Sequence, residues 1–322
     1  MSFVSYQHAK EIGDRFIAML SARGTSPPAK SAAETEMLSL MDLLDIWRNP
    51  EHIKQMQDNG SVIRQAAGIH DLAAKVLSAE RLPDFSSFEA HLKMLAEAQA
   101  FTTISQNNVA DSRDDISRKM AELYVGCLAI HCGSQVLLDD PKGAKGDNPD
   151  VMLTYDAQRW SLGIRTLVSA RHGQTIFDNI ERASQQIDAS TAQRGLVVIN
   201  AKNVIDHDRL WAPPRPFADE NEAIEVLRTE LRRIAELADQ NRPSSDWDRV
   251  FSGMAVPPVL FIGQSVAYLT IGGGALRAPT PLKALVAFAA DRKPDEKGTE
   301  LACCLNHWMQ TILRGDPGPS PS

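Results

Sequence analysis

The segment RGLVVINAKNV (194–204) constrains the fold most, because its run GLVVI (195–199) is apolar at every position and has the length of a strand. A strand that is apolar on both sides is typical of a sheet with helices packed on both faces. Strands alternate with amphipathic helices around this segment, which predicts an α/β fold. The predicted order is a helix, three strands, a helix and this strand, over residues 113–131, 134–138, 149–155, 159–169, 174–189 and 194–204.

The first part of the chain has a different pattern, in which apolar residues such as Leu38 and Met41 recur at three- and four-residue spacing. This spacing predicts helices. We therefore expect an all-helical N-terminal region over 1–110, an α/β domain over 111–314 and a disordered tail over 315–322. The predicted helices of the N-terminal region lie near 5–22, 32–47, 61–78 and 86–104.

The last third of the chain contains two more amphipathic helices, predicted near 221–240 and 297–314. Between them, VPPVLFIGQSVAYLTI (256–271) predicts one more buried strand, or two short strands broken at Gly263. The triplet Gly272-Gly273-Gly274 predicts a turn or a flexible loop.

Charge and cysteine usage limit the classes of function. The chain has 34 Lys and Arg against 41 Asp and Glu, a formal net charge of -7, which argues against a surface coated with basic residues. A local basic groove would still bind nucleic acid. The four cysteines lack zinc-ligand spacing and are expected to be free thiols. There is no signal-peptide pattern and no run of about 18 apolar residues, so we expect a cytoplasmic protein without a membrane partner.

Two acidic residues are placed where they can support chemistry. Glu122 lies on the polar flank of the helix at 113–131. Asp150 follows Pro149, which restricts the backbone where a loop enters the second strand. Taken alone, Glu122 could equally be a solvated surface carboxylate, and Asp150 could be a turn residue without a role in chemistry. The order of the elements around them makes both candidates for a site.

An acidic helix, a hairpin opening with Pro149-Asp150, a third strand, a helix and an apolar strand together resemble the PD-(D/E)xK nuclease superfamily, over about residues 113–205. The resemblance implies a restriction-endonuclease-like αβββαβ core with a mixed central sheet. It also implies that Glu122, Asp150 and an acid on the third strand bind Mg²⁺, which offsets the charge that develops in phosphodiester hydrolysis. The partner would be nucleic acid, and the helical N-terminal region would set specificity or bind a protein partner.

The sequence departs from the family pattern on the third strand. In register, the (D/E)xK tripeptide falls on Gly163-Ile164-Arg165, so glycine replaces the acid and arginine replaces the lysine. Arginine keeps the charge and binds phosphate well, but it is a poor proton-transfer group.

Two hypotheses follow from this departure. In the first, the acid has migrated to Glu181 on the next helix, Gly163 makes room for it, and Lys142 or Lys145 supplies a mobile amine. The chain is then a Mg²⁺-dependent phosphodiesterase, a hydrolase. In the second, the site is inactive, and the fold serves as a nucleic-acid or protein binding module in which Arg165 and the two lysines contact phosphate.

Overall fold

The computed structural model describes residues 6–31, 34, 60–95, 115–140, 149–168, 170, 172–211, 217–271 and 276–311. Most of the predicted helix at 32–47, the predicted tail at 315–322, and Lys142 and Lys145 lie outside these ranges. No helix within them is both long and apolar enough to cross a membrane.

A six-stranded mixed sheet forms the centre of an α/β fold. Its strands are β1 (Ser134–Leu138), β2 (Val151–Tyr155), β3 (Gln158–Thr166), β4 (Arg194–Asn200), β5 (Val259–Ile271) and β6 (Leu276–Phe288). They lie side by side in the order of the chain. β1, β2 and β3 are antiparallel neighbours, β4 lies parallel to both β3 and β5, and β6 is antiparallel to β5.

Helices pack on both faces of this sheet. They are α1 (Tyr6–Ala22), α2 (Gly60–Ala79), α3 (Glu89–Leu95), α4 (Asp115–Ala129), α5 (Gly173–Asp188), α6 (His207–Trp211), α7 (Glu220–Asp239), α8 (Ser244–Val250) and α9 (Glu296–Gln310), with a 3₁₀ helix at Pro83–Phe88. The order α4, β1, β2, β3, α5, β4 confirms the predicted helix, three strands, helix and strand.

The apolar pattern of β4 explains why both faces are covered. Leu196 and Val198 belong to the hydrophobic cluster that contains α1 to α4 and α9, whereas Val197 and Ile199 belong to the cluster that contains α5 to α8. Alternate side chains of a strand point to opposite faces, so a strand that is apolar throughout needs a helical layer on each side. The prediction of a sheet covered on both faces is confirmed.

The N-terminal helices share a core with the sheet. Phe16 of α1 and Leu72 of α2 lie in the same cluster as Leu162 of β3, and all three are buried. The described part of the expected helical region therefore builds one face of the α/β core. The expected boundary at 110 falls in a stretch outside the described residues.

The strand predicted around 256–271 is a single strand, so the alternative of two short strands is wrong. Gly263 lies within this strand and does not break it. A glycine is needed at this position because a Cβ atom would lie 2.4 Å from Ile205 Cδ1. The sequence interpretation missed β6, which contains Pro279 and Pro281. Proline is tolerated there because, among the strands that the structure describes, β6 lies at an edge of the sheet and one row of its backbone amides has no neighbouring strand.

Candidate acidic site at the ends of strands β2 and β3

Asp150 immediately precedes β2, and its carboxylate is held by two hydrogen bonds. Oδ2 accepts the backbone N–H of Ile164 at 2.6 Å, and Oδ1 accepts Nε2 of Gln186 on α5 at 3.2 Å. The residue is only 2% exposed. Since Val151 pairs with Leu162, Asp150 lies at the level of Gly163 on the neighbouring strand. The residue is therefore fixed between a β3 amide and a side chain of the following helix.

Glu122 reaches the same point from α4. It is 4% exposed, which excludes the alternative of a solvated surface carboxylate. Nζ of Lys119 lies 2.8 Å from Oε1 and 2.9 Å from Oε2, and Nε2 of His91 on α3 lies 3.2 Å from Oε2. The carboxyl groups of Glu122 and Asp150 are close enough for each to affect the pKa of the other. The structure thus brings together the two acids that the sequence singled out.

Burial and mutual repulsion perturb both acids. Burial first, and then the charge of Glu122, raise the pKa of Asp150 to about 7, although Arg165 and the Ile164 amide oppose the shift. Burial also raises the pKa of Glu122, against the opposing effects of Lys119 and Arg165. A buried acid pair that shares a proton accounts for these directions. Such a pair near neutral pH is common at functional sites.

The cations around the pair respond to the same environment. Burial would lower the pKa of Lys119, but the adjacent Glu122 carboxylate outweighs burial and raises it. Burial and the Lys119 charge lower the pKa of His91 to about 4, so His91 is a neutral imidazole at pH 7. The two acids therefore lie beside one ammonium group, that of Lys119, and near the half-buried residue Arg165.

Gly163, at the position where the resemblance led us to look for a third acid, faces the backbone of α5. A Cβ atom at this position would lie 2.8 Å from the carbonyl oxygen of Ala183 and 3.2 Å from its Cβ. Contacts under 3.0 Å with backbone do not relax easily, because the helix itself would have to move. Gly163 is therefore required for the close packing of α5 on β3, and the interpretation that it makes room for Glu181 is corrected.

Glu181 is not brought to the acid pair. It precedes Gln186 by five positions, which places it about 140° away around the helix axis. Its Oε1 accepts Nε of Arg249 on α8 at 2.8 Å. Glu181 therefore forms a surface ion pair that links α5 to α8. Lys142 and Lys145, the other two amines of the first hypothesis, lie outside the described residues.

The donor set does not fit a Mg²⁺ ion. Across the parts of the chain that the structure describes, no group of three His, Cys, Asp or Glu residues is arranged to hold a metal. Both oxygens of Glu122 contact Lys119, and both oxygens of Asp150 accept protein hydrogen bonds. Mg²⁺ requires several oxygen ligands in octahedral geometry. Instead of a metal ion, the Lys119 ammonium group contacts both carboxylate oxygens of Glu122.

Three residues of this site were missed by the sequence interpretation. Lys119 had a local signal, because a lysine three positions before a glutamate on a helix forms an ion pair with it. The only sequence signal for Gln186 was its position on the face of α5 that packs toward the sheet. His91 had no local signal, since it is 31 positions from Glu122 and its contact depends on how α3 packs.

Comparisons with protein-family models, with curated proteins and with solved structures found no match.

Proposed function

We propose that this chain is a nuclease-like protein that binds nucleic acid and does not cleave it. In this proposal, residues 115–200 are a divergent PD-(D/E)xK core of the restriction-endonuclease type. The element order α4, β1, β2, β3, α5, β4 supports this assignment, as does the closeness of Glu122 to Asp150 at the start of β2. We propose binding without cleavage because of how the charged groups of that acidic site are paired.

One observation carries the proposal: the Lys119 ammonium contacts both oxygens of Glu122. In a hydrolytic site of this type, a divalent cation would take these lone pairs. Here an internal cation takes them. The third acid is absent as well, and the backbone of α5 fills the space in which its side chain would begin. The acid pair is thus neutralised by protein groups and serves the architecture of the site.

Arg165 is the group that remains for a phosphate. It lies near the acid pair at the end of β3, and the residue is partly exposed to solvent. Guanidinium groups bind phosphate oxygens in a bidentate manner, and such contacts position a nucleic acid without reading its sequence. The proposed ligand is therefore a phosphate backbone.

A second candidate, Mg²⁺-dependent phosphodiester hydrolysis, is favoured by one observation. Burial and the charge of Glu122 raise the pKa of Asp150 to about 7, so the folded site favours an added positive charge when both acids are ionised. A divalent cation would supply that charge. This candidate requires that Lys119 move away from Glu122 when the metal binds.

Binding to labelled single- and double-stranded DNA and RNA tests the proposal. We expect Arg165→Gln to weaken binding at all sequences and to lower the slope of log affinity against log salt by about 1, as for loss of one phosphate contact. Arg159→Gln is the matched control on the same strand, because Nη1 of Arg159 is bonded to the carbonyl oxygen of Gln135 at 2.8 Å. Equal binding by both variants and the wild type would refute the phosphate contact.

A cleavage assay with Mg²⁺ or Mn²⁺ separates the two candidates. We expect no cleavage by the wild type and no difference on Asp150→Ala. Metal-dependent cleavage that disappears in Asp150→Ala would overturn the inactive site and favour the phosphodiesterase.

A further inference from the structure

The sheet has two edges, and the protein treats them differently. In the part of the chain that the structure describes, β1 and β6 are the edge strands. An edge strand presents unpaired N–H and C=O groups to which another strand can add. Pro279 and Pro281 remove two backbone donors from β6. β1 has the sequence SQVLL, which contains no proline, so its edge is covered in another way.

Two side chains of the 3₁₀ helix Pro83–Phe88 bind the middle of β1. Oδ2 of Asp84 accepts the backbone N–H of Val136 at 2.9 Å. The Ser87 hydroxyl group donates to the Val136 carbonyl oxygen, also at 2.9 Å. A neighbouring antiparallel strand would supply the same pair of groups, one acceptor and one donor, to a single residue. Asp84 and Ser87 therefore take the place of a further strand at the centre of β1.

The sequence of this helix, PDFSSF, explains how it can bind β1 and the core at once. A 3₁₀ helix has three residues per turn, so side chains three positions apart lie on the same side. Asp84 and Ser87 thus share one side of the helix, and Phe85 and Phe88 share another. Both phenylalanines are buried in the hydrophobic cluster that contains α1 to α4 and α9. Their burial holds the two polar side chains against the edge of the sheet.

Arg23, which follows α1, binds both ends of the same segment. Its guanidinium group lies 3.4 Å from Glu80, before the 3₁₀ helix, and 3.2 Å from Glu89, after it. It also lies 5.1 Å from the centre of the Phe85 ring. Each of these partly exposed ion pairs contributes little by itself. Together they connect the segment to α1 on both sides of the helix.

We propose that residues 83–88 are an edge cap, which keeps β1 from pairing with β1 of a second copy of this chain. A second copy is the partner that this edge favours, because an apolar pair lies beside it. Leu137 is 51% exposed, and its neighbour on β2 is the partly exposed Met152. Two β1 strands related by a twofold axis would pair in antiparallel orientation and bring these apolar side chains together. The edge cap does not depend on the proposed nucleic-acid function.

Sedimentation velocity of the full chain at several concentrations tests the edge cap. We expect the double variant Asp84→Ala/Ser87→Ala to self-associate at least about tenfold more tightly than the wild type, because two backbone groups become free to pair with a strand. Ser87→Ala alone should shift the association in the same direction and less far. Asp84→Asn keeps an acceptor for the Val136 N–H and should behave like the wild type. Ser86→Ala is the matched control, because Ser86 is an exposed residue of the same helix.

A suppressor variant shows whether the association runs through β1. Leu137→Lys, added to the double variant, should return the association to that of the wild type, because a lysine on an edge strand opposes pairing with its own copy. Leu137 is exposed, so the lysine leaves the core intact. The proposal is overturned if the double variant associates no more than the wild type or if Leu137→Lys leaves its association unchanged. Equal association of Ser86→Ala and Ser87→Ala would also overturn it.

Hydrogen exchange in the wild type keeps the test independent of how the variants fold. We expect the Val136 amide to exchange about as slowly as the amides that pair β2 with β3, although β1 is an edge strand. In Asp84→Ala the same amide should exchange faster, whereas in Asp84→Asn it should stay protected. A Val136 amide that exchanges in the wild type as fast as an unfolded peptide would show that the edge is open and would overturn the cap.

Discussion

Lys119 and Glu122 lie one helical turn apart on α4, and the Lys119 ammonium contacts both carboxylate oxygens of Glu122, at 2.8 Å and 2.9 Å. The Lys119 side chain is 16% exposed and the Glu122 side chain 5%, so little water competes for the contact. A buried carboxylate needs a partner charge. At this position the partner is part of the protein, and that distinguishes this acid pair from a metal site.

Replacing Lys119 with methionine should destabilise the protein, since Glu122 would lose its partner charge while the apolar stem keeps its packing. We expect the free energy of unfolding at pH 7 to fall by about 2–3 kcal/mol, because breaking one side of a buried pair leaves the other charge uncompensated. Urea unfolding measures this. The control is Lys93→Met on α3, whose side chain is 62% exposed and 3.9 Å from Glu89, with an expected change under about 0.5 kcal/mol.

The same variant gives a metal readout. With the ammonium group gone, Mg²⁺ or Mn²⁺ should raise the melting temperature of Lys119→Met and leave that of the wild type nearly unchanged, because a ligand stabilises only the state that binds it. A larger metal response in the wild type than in the variant would contradict the internal cation and support the phosphodiesterase.

Substitution of Gly163 should be costly because of the backbone contact with α5. We expect Gly163→Ala to lower the free energy of unfolding by about 1–3 kcal/mol, as for overpacking in a core. Gly163→Glu should lower it further and should not create cleavage activity. Gly298→Ala is the control, because its new Cβ would meet side-chain atoms and no backbone, the nearest being the Leu196 Cδ2 methyl at 3.2 Å. A Gly163→Ala protein as stable as the wild type would show that α5 yields at this point.

The sequence predicted the parts of the fold whose signals are local. The apolar run of β4 and the helical spacing of α4 and α5 each depend on neighbours within a few positions, and their order was therefore read correctly. β6 was not, because Pro279 and Pro281 oppose a strand assignment unless the strand is known to be at an edge. Edge position is a property of the whole sheet, which no local pattern contains.

The residues of the candidate site likewise fall into those that the sequence predicted and those that depend on tertiary packing. Glu122 and Asp150 were found because the element order makes them converge, and the structure brings them close enough for each to affect the pKa of the other. The sequence did not reveal why position 163 is glycine, because a glycine in a strand has several possible explanations. The actual reason is the close approach of the α5 backbone, which only tertiary packing creates. His91 enters the site through tertiary packing of α3, which cannot be derived from spacing along one chain.

Glu181 provides a direct test of the migrated-acid hypothesis. Its ion pair with Arg249 is at the surface, where the Arg249 side chain is 57% exposed. We expect Glu181→Gln to change the free energy of unfolding by less than about 1 kcal/mol. Nucleic-acid binding and the melting response to Mg²⁺ should equal those of the wild type. Loss of a metal response in Glu181→Gln, measured by thermal melting beside Asp150→Asn, would restore Glu181 as a ligand.

Asp150 should make stability depend on pH in a direction that an ordinary aspartate does not. Its pKa in the folded chain is about 7, above the ordinary value of 3.8, because it is buried beside Glu122. The folded state therefore holds the proton more tightly than the unfolded state does. Its stabilising contribution is complete below about pH 4 and is lost as the pH rises through 7. Above pH 7 the folded chain carries the cost of a buried ionised carboxylate.

Asp150→Asn removes this titration and keeps an oxygen for the Ile164 amide. We expect the free energy of unfolding of Asp150→Asn minus that of the wild type to rise between pH 4 and 7, at up to about 1.4 kcal/mol per pH unit, and to level off above. Urea unfolding across this range measures the difference, in which opposite contributions from buried neutral histidines such as His131 largely cancel. A flat difference for Asp150→Asn would mean that Asp150 is ionised throughout and that Lys119 and Arg165 neutralise both acids.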